Sequence, residues 1–129
     1  MRPTILLVDD DQDFLEMNRG ILEAKGFRVD CFTDADRAWE SMRSRTPSLV
    51  ITDLMMKSLD SGFSLARKIK SDPDYTDVPV IIVTAVASRR GFDFNPKNRE
   101  ELEEMGAEAY FDKPVSPELL IAKVKELLL

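Results

Sequence analysis

Asp9, Asp10, Asp53, Thr84 and Lys113 are the residues of this 129-residue chain whose types and positions could do chemistry together. Each stands at or just after the end of a short apolar run: 5–8, 49–51, 80–83 and 109–111. In an open parallel α/β sheet, ligands collect outside the carboxyl ends of the strands, so polar residues at successive ends face one crevice. Alone, each has an ordinary reading, because carboxylates are common in loops and threonine suits a strand. Together they set three carboxylates, a hydroxyl and an ammonium around one point. Crowded carboxylates repel, and desolvation drives one to bind a proton unless a cation neutralises the group. Hard oxygen donors favour Mg²⁺, which takes one or two carboxylates and keeps room for phosphate oxygens. A carboxylate beside such an ion can act as nucleophile, with Lys113 and Thr84 meeting the transferred oxygens as charge builds, which points to phosphoryl chemistry.

The elements that must position these residues are legible. Runs 5–8, 49–51 and 80–83 are rich in branched apolar residues and read as strands buried on both faces. Residues 28–32 alternate apolar and polar, and 109–111 is brief, so both suit sheet edges. Between them the spacing predicts helices. Phe14, Met17, Ile21 and Ala24 share one face of the first, with Gly26 at its C-terminal end. Thr33 or Asp34 caps a second, running to about Arg45; 65–70 offers a third before Pro73; Ser116 and Pro117 open a last helix reaching 129. Alternating strands and helices predict a single domain over 1–129, with a parallel sheet and helices on both faces. Residues 87–99, with Arg89, Arg90, Gly91, Asn95 and Pro96, break any period and read as a long loop.

Composition narrows the function classes. Hydrophobic residues make up 43% and charged residues 33%, the balance of a globular protein. The net charge of -6 argues against direct nucleic-acid binding, which needs a clustered basic surface. No apolar run approaches the roughly 20 residues that cross a bilayer, and no leader pattern opens the sequence, which predicts a cytoplasmic protein away from membranes. With no histidine and a single cysteine, Cys31, the chain offers no imidazole chemistry and no disulfide within one copy. Cys31 reads as a small core residue and Trp39 as a packing residue of the second helix.

The runs ILLVDDD at 5–11, LVITDLMM at 49–56, VTA at 83–85 and YFDKP at 110–114 resemble the four signatures of the response-regulator receiver domain, in order and across nearly the whole chain. The resemblance implies a flavodoxin-like, doubly wound five-stranded parallel sheet of order 2-1-3-4-5, with Asp53 as phosphoacceptor. It implies Mg²⁺ bound directly by Asp10, largely through water by Asp9, by Asp53 and by the backbone carbonyl of Met55. Lys113 would contact the phosphoryl group, and the Lys113-Pro114 bond would be cis. Thr84 and Tyr110 would be the switch, moving on phosphorylation and reshaping the face built from the fourth helix, last strand and last helix. Expected partners are a sensor histidine kinase or phosphotransfer protein, a downstream protein or output domain, and a second copy on phosphorylation. Such a domain is a phosphoacceptor that assists its own phosphorylation and dephosphorylation.

Departures from the family pattern are confined to two places. Lys57 replaces the usual proline four residues after Asp53, and the stretch before Gly62 is one residue longer; Lys57 itself reads as a solvated surface lysine. Between Thr84 and Lys113 lie 28 residues, more than usual, with the excess in 87–99. That segment is expected to alter partner docking or the response of the fourth helix. Met55 and Val86 occupy the two variable positions that tune phosphoryl lifetime, and neither side chain can orient an attacking water, so slow self-dephosphorylation is expected. Two other readings compete. Asp9-Asp10-Asp11 resembles the Asp-x-Asp of haloacid-dehalogenase-type phosphatases, with Asp9 as nucleophile, but leaves Asp53 without a purpose and lacks an acidic pair after Lys113. A pseudo-receiver that binds partners without phosphorylation would need none of the five residues, all of which are present.

Overall fold

The computed structural model describes residues 2–53, 61–84 and 106–128, with the backbone alone over 61–63. Met55, Lys57, Val86, the 87–99 segment and the expected helix before the last strand lie outside them. The element order is β1 (Thr4–Val8), α1 (Gln12–Ala24), β2 (Arg28–Phe32), α2 (Ala35–Ser44), β3 (Leu49–Thr52), α3 (Ser61–Ser71), β4 (Val80–Thr84), β5 (Ala109–Asp112) and α4 (Pro117–Leu128). The third helix thus starts four residues earlier than the apolar spacing predicts. All strands pair in parallel in the order β2-β1-β3-β4-β5, so the two runs with weaker strand character are the sheet edges.

Period-2 alternation divides the core between the two faces of the sheet. Ile5, Leu7, Leu49, Ile51, Ile81 and Val83 point to one side, where Phe14, Leu15 and Leu22 of α1 and Leu120 and Val124 of α4 cover them. Leu6, Val8, Val50, Val80 and Ile82 point to the other, against Ala38 and Met42 of α2 and Leu65, Ala66 and Ile69 of α3. Trp39 packs at the edge of this second layer, edge-on to Tyr75 at 5.5 Å between ring centroids. Cys31 is half-buried on the edge strand rather than enclosed in the core, and burial pushes its thiol pKa up.

The phase of α1 differs from expectation. Its buried positions are Phe14, Leu15, Asn18 and Leu22, whereas Met17 is 58% exposed and Ala24 is exposed. Asn18 is tolerated inside because its side-chain amide donates to the Phe14 carbonyl at 2.9 Å, satisfying a polar group that would otherwise be costly to bury. The observed inner face is thus turned by about one position from the one that Phe14, Met17, Ile21 and Ala24 would form.

Capping sets where the helices begin and end. Asp11 caps α1, its carboxylate accepting from the Asp13 and Phe14 amides, and Asp34 rather than Thr33 does the same for α2. Gly26 takes the positive φ of 93° just past α1 that its position predicts. Ser116 accepts from the Leu119 amide at 3.4 Å at the start of α4.

Candidate functional site

Strand register brings the chemistry-bearing residues to one edge. Val8 pairs with Thr52, so the next residues, Asp9 and Asp53, emerge side by side, with the Asp53 amide donating to the Val8 carbonyl at 3.0 Å. Thr84 pairs with Asp112, and the Lys113 amide donates to the Thr84 carbonyl at 2.9 Å, which carries the lysine to the same rim. The peptide bond between Lys113 and Pro114 is cis, as the sequence resemblance implies.

The side chains then converge. Asp9 is fully buried and Asp53 is 3% exposed, while Asp10 is exposed and is where the cluster meets solvent. Carboxylate oxygens of Asp9, Asp10 and Asp53 all lie within 4.8 Å of one another, a spacing at which one cation could touch each. Lys113 reaches in from the far side: its ammonium stands 2.7 Å from Asp9 Oδ2 and 3.4 Å from Asp53 Oδ2. The Asp11 amide donates to the other oxygen of Asp9 at 2.9 Å, so the residue that caps α1 also helps hold the buried carboxylate. Burial nevertheless dominates and pushes the Asp9 pKa up to about 6, against the opposing pull of Lys113 and the Asp11 amide. One ammonium does not neutralise three carboxylates, and the donors are hard oxygens, so the site fits a divalent oxygen-seeking ion.

Thr84, the fourth expected site residue, is 1% exposed at the end of β4. Tyr110 is half-buried and packs on the sheet face covered by α2 and α3, beside its β4 neighbour Ile82. Sequence reading missed one participant: the ring of Phe14, whose centroid lies 4.4 Å from the Lys113 ammonium.

A family model described as the response regulator receiver domain matches residues 5–125. The chain belongs to this family. Its receiver domain is 34% identical to response regulator Rre1 of Synechocystis, over 97% of this chain and 51% of that protein. The same identity links it to the phosphate regulon transcriptional regulatory protein PhoB of Pseudomonas aeruginosa, again over 97% of the chain and 51% of the relative. A CheY-like receiver domain protein from Methanospirillum hungatei superposes with a TM-score of 0.82 at 26% identity, covering 99% of this chain and 94% of that one. The chain thus spans about half the length of these two curated relatives. As a receiver domain of two-component signalling it is a phosphoacceptor rather than an enzyme with a small-molecule substrate, and its acidic cluster stands where the family's fold collects strand ends. No described helix is long and apolar enough to cross a membrane.

Proposed function

We propose that Asp53 is the residue that accepts the phosphoryl group, from a phosphohistidine on a sensor kinase or phosphotransfer protein, and that Mg²⁺ held by Asp9, Asp10 and Asp53 assists. The observation that carries this reading is the convergence of three carboxylates within 4.8 Å with the Lys113 ammonium against two of them. In the transfer, an Asp53 carboxylate oxygen forms the new bond to phosphorus as the P–N bond to the donor imidazole breaks, and the departing nitrogen keeps that electron pair. Lys113 is placed to shift from the Asp53 carboxylate to the incoming phosphoryl oxygens, neutralising charge with a group already desolvated and oriented. Thr84, closing the neighbouring strand, supplies a hydroxyl to the same oxygens. When bound, Mg²⁺ would offset the remaining charge between the carboxylates and the phosphoryl oxygens. Met55 enters the ligand set, through its carbonyl, by its sequence position alone.

The consequence is a local charge change that biases a two-state packing of Thr84 and Tyr110, and with it the surface seen by a downstream protein, an output domain or a second copy. A cytoplasmic location follows from this partnership. Incubating the chain with Mg²⁺ and acetyl phosphate, and reading intact mass for wild type and Asp53→Asn, tests the assignment. Added phosphoryl mass in the wild type alone supports it; equal labelling of both would move the acceptor elsewhere, and no labelling of either would favour an interaction module without the switch. Lys113→Ala should label at least about tenfold more slowly, as loss of one charge-stabilising donor usually costs.

A further inference from the structure

We infer that Phe14 is a positioning residue whose ring holds the Lys113 ammonium at its station between Asp9 and Asp53, an inference that rests on the phosphoacceptor reading above for its kinetic consequence. Lys113 is 12% exposed, so its ammonium has given up most of its water. An ammonium carries three donors and no acceptor. Two directions are taken by carboxylates, at 2.7 Å to Asp9 and 3.4 Å to Asp53, and the Phe14 ring centroid lies 4.4 Å away. The negative face of an aromatic ring attracts a cation at this range, and the attraction grows when water is excluded, as it is here.

Phe14 is itself fastened. Its amide donates to the Asp11 cap at 3.3 Å, its carbonyl accepts from the buried Asn18 side chain at 2.9 Å, and its side chain is packed with Leu15, Leu22 and Val83 in the core. The first turn of α1 therefore presents a rigid platform to a flexible lysine that comes from the opposite end of the chain. An aliphatic residue of similar bulk would fill the same space and offer the ammonium nothing. The ring offsets the lysine's desolvation without adding a competing acceptor, so the ammonium remains available to move onto phosphoryl oxygens once they arrive.

Site-specific replacement of Phe14 by mono-, di- and trifluorophenylalanine weakens the ring's negative face in steps while nearly preserving its volume, and Phe14→Leu removes it. Two readouts are needed: the acetyl phosphate labelling rate with Mg²⁺, and the ring-current upfield shift of the Lys113 Hε protons in the unphosphorylated chain. The labelling rate should fall stepwise with fluorine count to about three- to tenfold below wild type in Phe14→Leu, with thermal midpoints unchanged across the fluorinated series. The upfield shift should be present in wild type and lost in Phe14→Leu. A flat labelling rate across the series, or no ring-current shift in wild type, overturns the inference. Failure of the wild type to label while the shift is present overturns the phosphoacceptor reading and leaves the ring's hold on Lys113 supported.

Discussion

Asp9 pays for its position in a measurable way. Its carboxyl has an ordinary pKa of 3.8 and is pushed up to about 6, chiefly by burial. Between these values the folded chain keeps a proton that the unfolded chain has lost, so stability falls as pH rises through the window and levels off above it. In Mg²⁺-free buffer the ionised, buried Asp9 should therefore destabilise the chain near neutrality and not near pH 4. Asp9→Asn is expected to gain about 1–2 kcal/mol relative to wild type at pH 7, below the ~3 kcal/mol that a shift of this size allows, because Lys113 loses a partner. Denaturant midpoints at pH 4 and pH 7 measure it; a difference between variant and wild type that is the same at both would refute the account. At the same scale, Met55 and Val86 carry side chains without a hydrogen-bonding group to orient water, so phosphorylated protein freed of donor should persist for much longer than seconds in mass spectra taken over time.

At the scale of elements, two single positions decide whether α1 and β5 present their residues correctly. Asp11→Ala removes the α1 cap and should cost about 1 kcal/mol in stability while leaving Asp53 able to label, because the Asp11 amide that holds Asp9 belongs to the backbone. Gly106, three residues before β5, has φ of 77°, and an added Cβ would meet the Ala66 carbonyl carbon and oxygen of α3 at 3.1 Å. Gly106→Ala therefore combines a backbone penalty with a clash against main chain that cannot swing away, and should destabilise by about 2–3 kcal/mol. Thermal melts of the two variants side by side check the order: Gly106→Ala below Asp11→Ala. The reverse order would mean that the α3–β5 approach is looser than the structure describes.

Across the whole molecule, the end of the sheet opposite the site is tied by one small network. Glu108 ion-pairs with Lys70 at the end of α3 and accepts from the Val80 amide at 3.1 Å where β4 starts; Lys70 also donates to the Val78 carbonyl at 2.9 Å. Three elements, α3, β4 and β5, meet there, and β5 leads on to Tyr110 and Lys113. Glu108→Ala should lower stability by about 1–3 kcal/mol by leaving the Val80 amide without this acceptor and the Lys70 ammonium without its carboxylate partner, and Glu108→Gln, which can still accept from Val80, should lose less. Urea midpoints of the pair would decide; equal losses would assign the stabilisation to the ion pair and not to the amide bond.

By itself the sequence determined the strands, the residues at the strand ends, the glycine past α1 and the α2 cap to within Thr33 or Asp34, because these depend on signals carried within a few positions: apolar runs, a capping residue at a helix start, glycine where φ is positive. That Asp34 caps α2 and Asp11 caps α1 came from the structure. The β2 and β5 runs announced themselves as edges by alternation and brevity, and the motifs pointed in order to Asp9, Asp10, Asp53 and Lys113, whose side chains the structure brings together. Only the tertiary structure decided what depends on partners far along the chain. Asp9 and Lys113 are 104 positions apart, and their contact exists because the order β2-β1-β3-β4-β5 and its register bring those strand ends to one rim. The burial of Asn18 on the inner face of α1 was likewise invisible locally, since a polar side chain that satisfies itself on the preceding turn looks the same in sequence as one that faces water.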